Sequence, residues 1–228
     1  MRPGSVLAGM PPVLAAGVGV RHGWGWVLRA ASFRVEGAVS GPVIGIESSR
    51  RAAGSAVVDL LAGLARPAYG ELRVLGEDLT TARGREAVRP RVGVARRSLR
   101  PQPACKIRKA VEHAARRSGV SWSDRDALTA AILDRLGLVP WGRVPVRAAP
   151  PAVARRVRLA AAAVHEPDLL LLDGLLDGLS RRDVVSVAES IRDLATDTAI
   201  VATGSDAAAL RIACGEVLVL ADGIIVPN

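Results

Sequence analysis

Residues 159–173 read LAAAAVHEPDLLLLD, and the whole architecture can be built outward from them. The first half, rich in Ala, continues a helical run from Val153 to Val164. Glu166-Pro167 ends it, because proline has no N–H to donate and disfavours helix in the residue before it. The second half, Asp168–Asp173, is an unbroken apolar run closed by a carboxylate. Four consecutive leucines leave no polar face, so a strand made of them is covered on both sides. A helix handing over to a doubly covered strand is the repeating unit of an α/β sheet.

The same alternation recurs on either side. Downstream, a helix over Arg182–Ala195 leads to a TAIVAT strand at Thr198–Thr203. A helix at Ala207–Ala213 follows, then two strands, Glu216–Ala221 and Gly223–Val226, around Asp222-Gly223. Upstream, PVIGI at Pro42–Ile46 is a buried-type strand. A small, polar stretch follows from Glu47 to Ser55, and a helix over Ala56–Ala65 stops before Pro67. Trp26–Val35, Gly70–Gly76 and Arg91–Ala95 read as further strands. Lys106–Gly119 and Asp126–Gly137 read as amphipathic helices. The sheet is therefore expected to be largely parallel. Ligands on such sheets sit at the carboxyl ends of strands, which singles out the loops after Ile46 and after Asp173.

Composition narrows the function classes. The chain has 228 residues, 50% of them hydrophobic and only 3% aromatic, so its core is aliphatic. The net charge is +9, carried almost wholly by arginine, since Lys106 and Lys109 are the only lysines. Nucleic acid, an anionic membrane face and nucleotide phosphates are all chemically compatible with that charge. Interleaved basic and aromatic residues are missing, which makes nucleic-acid binding the weakest of the three. Cys105 and Cys214 have no metal-ligand spacing and form no disulfide framework. No apolar run approaches the roughly 18 residues of a membrane span. Residues 1–17, interrupted by Pro11-Pro12, are expected to be a tail, with one domain over 18–228.

The stretches LAAAAVHEPDLLLLD and LLAGLARPAYGELRVLGEDL (60–79), with Ala199–Val226 ending in ADGIIV, resemble the ATP-binding subunits of ABC transporters in order and spacing. The resemblance covers about residues 18 to 226. It implies a P-loop NTPase-like α/β sandwich: a mostly parallel central sheet, an N-terminal antiparallel β subdomain and a helical subdomain over about 98–156. It also implies ATP and Mg²⁺ as ligands. Ser48, Ser49, Arg50, Arg51, Gly54, Ser55 and Ala56 stand in the phosphate-binding loop, His22 stands at the base-stacking position, and Ser55 and Asp173 stand as the metal-holding pair.

The departures from the family pattern are chemical. A phosphate loop uses glycines to curl backbone N–H groups around the anion, a lysine for charge and a hydroxyl for Mg²⁺. Here Gly54 occupies the lysine position, Ser48, Arg51 and Ala53 occupy glycine positions, and only Ser55 is kept. Two roles stay open for Arg50 and Arg51: substitute charge for an anion, or solvated surface. The carboxylate that should follow Asp173 is Gly174. The family's glutamine is Arg97, with Gln102 five residues late, and the switch histidine is Ser205. The signature motif is Ala149-Pro150-Pro151-Ala152-Val153, and prolines there can start a helix but cannot donate to phosphate. Near His22, Trp24 and Trp26 serve either for packing or for stacking on a base.

Loss of a positioned general base alone costs about 10²–10⁴-fold in rate. The expectation is a degenerate, non-hydrolysing subunit, structural or regulatory, partnered by an ABC-type membrane component or a competent ATPase subunit as a homo- or heterodimer. It would be cytoplasmic, peripheral at the inner face of the cell membrane, with ATP and Mg²⁺ bound weakly or not at all. The alternatives are a weak nucleotide sensor and half of an asymmetric ATPase.

Overall fold

The structure is a computed structural model that describes residues 10–22, 25–35, 43–97 and 104–227. In chain order it runs β1 (Val13–His22), β2 (Gly25–Val35), β3 (Ile44–Glu47), α1 (Arg51–Leu61), β4 (Tyr69–Val74), β5 (Glu77–Asp78), α2 (Ala82–Val88) and β6 (Val92–Arg96). It continues with α3 (Ile107–Arg117), α4 (Trp122–Arg135), α5 (Pro151–Ala163), β7 (Leu169–Asp173), α6 (Arg181–Leu194), β8 (Ala199–Gly204), α7 (Ala207–Ala213), β9 (Glu216–Ala221) and β10 (Ile224–Pro227).

Six strands form the central sheet in the order β10-β9-β3-β8-β7-β6. All neighbours pair parallel except β10, which closes antiparallel on β9. The LLLL run lies between two parallel neighbours and explains itself there. Leu170 and Leu172 face one core, with α5, α6 and α7 and the helical segment. Leu169 and Leu171 face the other, with α1 and the antiparallel sheet. That second sheet has the order β2-β1-β4-β5. The mostly parallel sheet, the antiparallel N-terminal sheet and the helical segment are thus all present, as the fold class expected from the sequence requires.

Three boundaries differ from the sequence reading. First, the expected tail over 1–17 gives way at Val13, where β1 begins. Its Ala15, Ala16, Gly17 and Gly19 blur the alternation, and its register shifts against both neighbours. Second, α1 begins at Arg51 rather than Ala56. Ala52 and Ala53, strong helix formers, replace residues that would hold a loop open. Third, α4 begins at Trp122 rather than Asp126, because the Ser121 hydroxyl caps it by accepting from the Asp124 N–H at 3.2 Å. The segment 77–88, for which the sequence reading assigned no element, forms β5 and α2.

Candidate functional site

The loops after β3 and after β7 meet, as strand-end geometry requires. Ser48, Arg51, Gly54 and Ser55 from the first share a pocket of about 380 Å³ with Asp173, Gly174 and Asp177 from the second. Arg97, Thr203, Gly204 and Ser205 complete its wall. A second pocket, of about 550 Å³, shares Ser48 and adds Ser49, Arg50, Trp26 and the β9–β10 turn. Arg50 and Arg51 are both exposed but line different pockets. Ala56 lies within α1 and lines neither. His22 is the last residue of β1. Trp24 and Gln102 lie outside the described residues.

The loop between β3 and α1 is only Ser48-Ser49-Arg50. The N–H of Ser48 reaches the Gly204 carbonyl at 2.9 Å, and in the first turn of α1 those of Ala53 and Gly54 turn back to the Arg50 carbonyl at 2.9 and 3.4 Å. The Ser48 hydroxyl donates to the same Arg50 carbonyl at 2.9 Å. A phosphate nest needs successive N–H groups converging on an outside anion. Here two of them are used inside the helix. Gly54 is packed so tightly on β8 that a Cβ would lie 3.3 Å from Thr203.

Asp173 sits at the end of β7 with its carboxylate hydrogen-bonded from two sides. The Ser55 hydroxyl is 3.0 Å from each of its oxygens, and Arg96 Nη1 donates to Oδ2 at 3.1 Å. Arg96 also donates through Nη2 to the carboxylate of Asp59, one turn beyond Ser55 on α1. The sequence reading paired Ser55 with Asp173, and the structure does bring them together. It missed Arg96 and Asp59. Two signals were available: Ser55 and Asp59 are four apart on one helix face, and RVGVAR and LLLLD end in opposite charges in parallel register.

These residues do not fit a divalent cation. Mg²⁺ is held by one or two carboxylates together with substrate phosphates. The one carboxylate beside Ser55 already carries a guanidinium. Like unit charges about 4 Å apart repel by about 4 kcal/mol at an effective dielectric of about 20. No group of three or more His, Cys, Asp or Glu side chains is gathered for a metal among the described residues.

The rest of the wall is occupied in kind. Gly174 has φ +60, the left-handed region that favours glycine, and Asp177 Oδ2 lies 3.2 Å from where its Cβ would be. Buried Asp177 accepts the Ser205 N–H at 2.9 Å, and its backbone carbonyl accepts from Arg155 at 3.1 Å. Burial, with Arg158 and Arg97 nearby, lowers the Arg155 pKa to about 10. Arg97 Nη1 is buried without a hydrogen-bond partner. Pro150 caps α5 and Pro151 opens it, so the signature-position prolines start a helix whose Ala152 and Val153 enter the core.

The ABC transporter family model matches residues 53–176, over half of the chain. A methionine import ATP-binding protein, MetN 2 of Burkholderia mallei, is 27% identical over 190 residues, covering 82% of this chain and 48% of its own. A daunorubicin resistance ATP-binding protein, DrrA3 of Streptomyces coeruleorubidus, is 30% identical over 154 residues, covering 68% and 48%. The chain thus spans about half the length of these curated relatives. Among solved structures, cbiO1 of Clostridium perfringens superimposes with a TM-score of 0.81 at 16% identity, over 95% of this chain and 87% of that one. The chain therefore belongs to the ABC transporter family, on the fold of its ATP-binding subunits.

Proposed function

We propose that this chain is a non-hydrolysing member of the family, a structural or regulatory subunit of a membrane transport system. The observation that carries the reading is the short β3–α1 connection, where the Ala53 and Gly54 N–H groups are turned back on Arg50 and no lysine is present. Gly174, where a water-polarising carboxylate belongs, and the prolines at the signature position support it. Phosphoryl transfer depends on positioning and charge stabilisation, and several of those parts are missing together.

Partnership with an ABC-type membrane component, or with a competent ATPase subunit, is proposed on family grounds. The solved cbiO1 is described as part of the ABC transporter complex cbiONQ. Among the described residues no helix is long and apolar enough to cross a membrane. A peripheral place at the inner face of the cell membrane is proposed on the same family grounds. A second reading, nucleotide binding without turnover, draws on the 550 Å³ pocket that Trp26, Ser49 and Arg50 line together. Pockets of that size suit a small ligand.

The test is calorimetric titration of ATP with and without Mg²⁺, alongside steady-state phosphate release. No release above buffer is expected. Heat without release would select the nucleotide-sensing form. Turnover by the unaltered chain, lost in Asp173→Asn, would refute the non-hydrolysing assignment.

A further inference from the structure

We infer that the Arg96 guanidinium is a permanent internal counter-ion for Asp173, standing in for a divalent cation and keeping metal out of this site. The argument starts from register. Parallel pairing of β6 with β7 sets Arg96 beside Asp173 at the carboxyl ends of both strands. The guanidinium then spans two carboxylates, donating to Asp173 Oδ2 at 3.1 Å through one terminal nitrogen and to Asp59 on α1 through the other. Ser55, also on α1, closes the ring onto both oxygens of Asp173.

Three elements are thereby tied by four side chains, and the Arg96–Asp173 pair is well covered, at 16% and 14% exposed, while Asp59 is 39% exposed. Planar guanidinium suits such two-sided recognition of carboxylates. Swinging it out would leave Asp59 and Asp173 uncompensated, and removing one partner of a covered ion pair is strongly unfavourable. An incoming cation would have to displace a tethered charge and shed its own water, which Mg²⁺ does reluctantly, in exchange for the Asp173 carboxylate, the Ser55 hydroxyl and the Asp177 carboxylate, which already accepts the Ser205 N–H. The tethered charge wins that competition. The site therefore carries its cation in the sequence.

This inference is separable from the absence of turnover, since it concerns metal uptake by the apo chain. The test uses Mn²⁺ alone on the full chain, followed by loss of its free-ion electron paramagnetic resonance signal and by thermal unfolding. The unaltered protein is expected to take up no Mn²⁺ saturably at millimolar concentration and to melt at the same temperature with and without it. Arg96→Gln is expected to gain one Mn²⁺ site and a rise in Tm of about 3–6 °C at tenfold excess over its dissociation constant. Adding Asp173→Asn abolishes both. If Arg96→Gln folds only when Mn²⁺ is present, the ion has replaced the guanidinium and the inference stands. Saturable Mn²⁺ uptake by the unaltered chain that Asp173→Asn removes would overturn it. So would an Arg96→Gln variant that binds no Mn²⁺, or one that stays unfolded with and without the ion.

Discussion

Gly54 and Gly174 stand where the family pattern has a lysine and a glutamate, and a side chain at either place comes at a cost. The first is pressed against Thr203, and the second has a left-handed backbone with Asp177 in front of it. A side chain at Gly54 overpacks the α1–β8 contact, for about 1–3 kcal/mol. A non-glycine residue at φ +60 adds about 1–2 kcal/mol. The double variant Gly54→Lys with Gly174→Glu is therefore expected to melt about 5–15 °C lower, given about 2–4 °C per kcal/mol for a chain of this size. It should still release no phosphate from ATP, which a coupled-enzyme assay would check. The identity of these two residues was legible in the sequence. Their immovability was not, because it comes from a neighbouring strand and from a torsion angle.

At the scale of elements, the turn between α5 and β7 carries a titration. His165 lies there, with its pKa lowered by burial and partly restored by a hydrogen bond with the Val92 backbone; its Nδ1 has no partner. The folded chain thus gives up the imidazole proton more readily than the unfolded chain, whose reference value is 6.5. The unfolded state binds more protons as pH falls through 6.5, so stability declines from there down to the folded-state value. Thermal melts between pH 7.5 and 5 should show a smaller acid-side loss for His165→Leu than for the unaltered chain. The sequence placed this turn correctly through Glu166-Pro167, which stops a helix whatever surrounds it. It does not show that the His165 ring is covered, because that depends on β6, far away in sequence, where Val92 lies. The same limit explains β1. Its small residues carry little alternation, and Gly19 is defined by the Tyr69 ring that lies over it.

Across the whole molecule, the sheet divides two aliphatic cores, and the helical segment joins one of them through α3, α4 and α5. A polar tie reinforces that docking. Arg135 at the end of α4 reaches Asp193 at 2.6 Å and Asp197 at 2.7 Å, with further bonds to the Asp193 carbonyl and the Thr196 hydroxyl. The carboxylates are 49% and 39% exposed, so solvent screens the pairs and their worth is about 1 kcal/mol. Arg135→Met is expected to lower Tm by only about 2–4 °C. Hydrogen exchange should report the larger effect, faster exchange confined to α3 and α4, because local opening of the segment is where the tie acts. Uniform acceleration across the sheet would contradict this.

The sequence by itself determined the layers. Doubly apolar runs such as LLLL and PVIGI must be covered on both faces, and the proline and glycine stops set where helices hand over to strands. It also determined which side chains stand at the family's lysine and glutamate positions, Gly54 and Gly174, since folding does not change a residue's identity. Only the tertiary structure decided what fills those places. Parallel register brought Arg96 onto Asp173, and the approach of β8 set Thr203 against Gly54. Both depend on contacts between residues far apart in sequence, which local propensity and spacing do not encode.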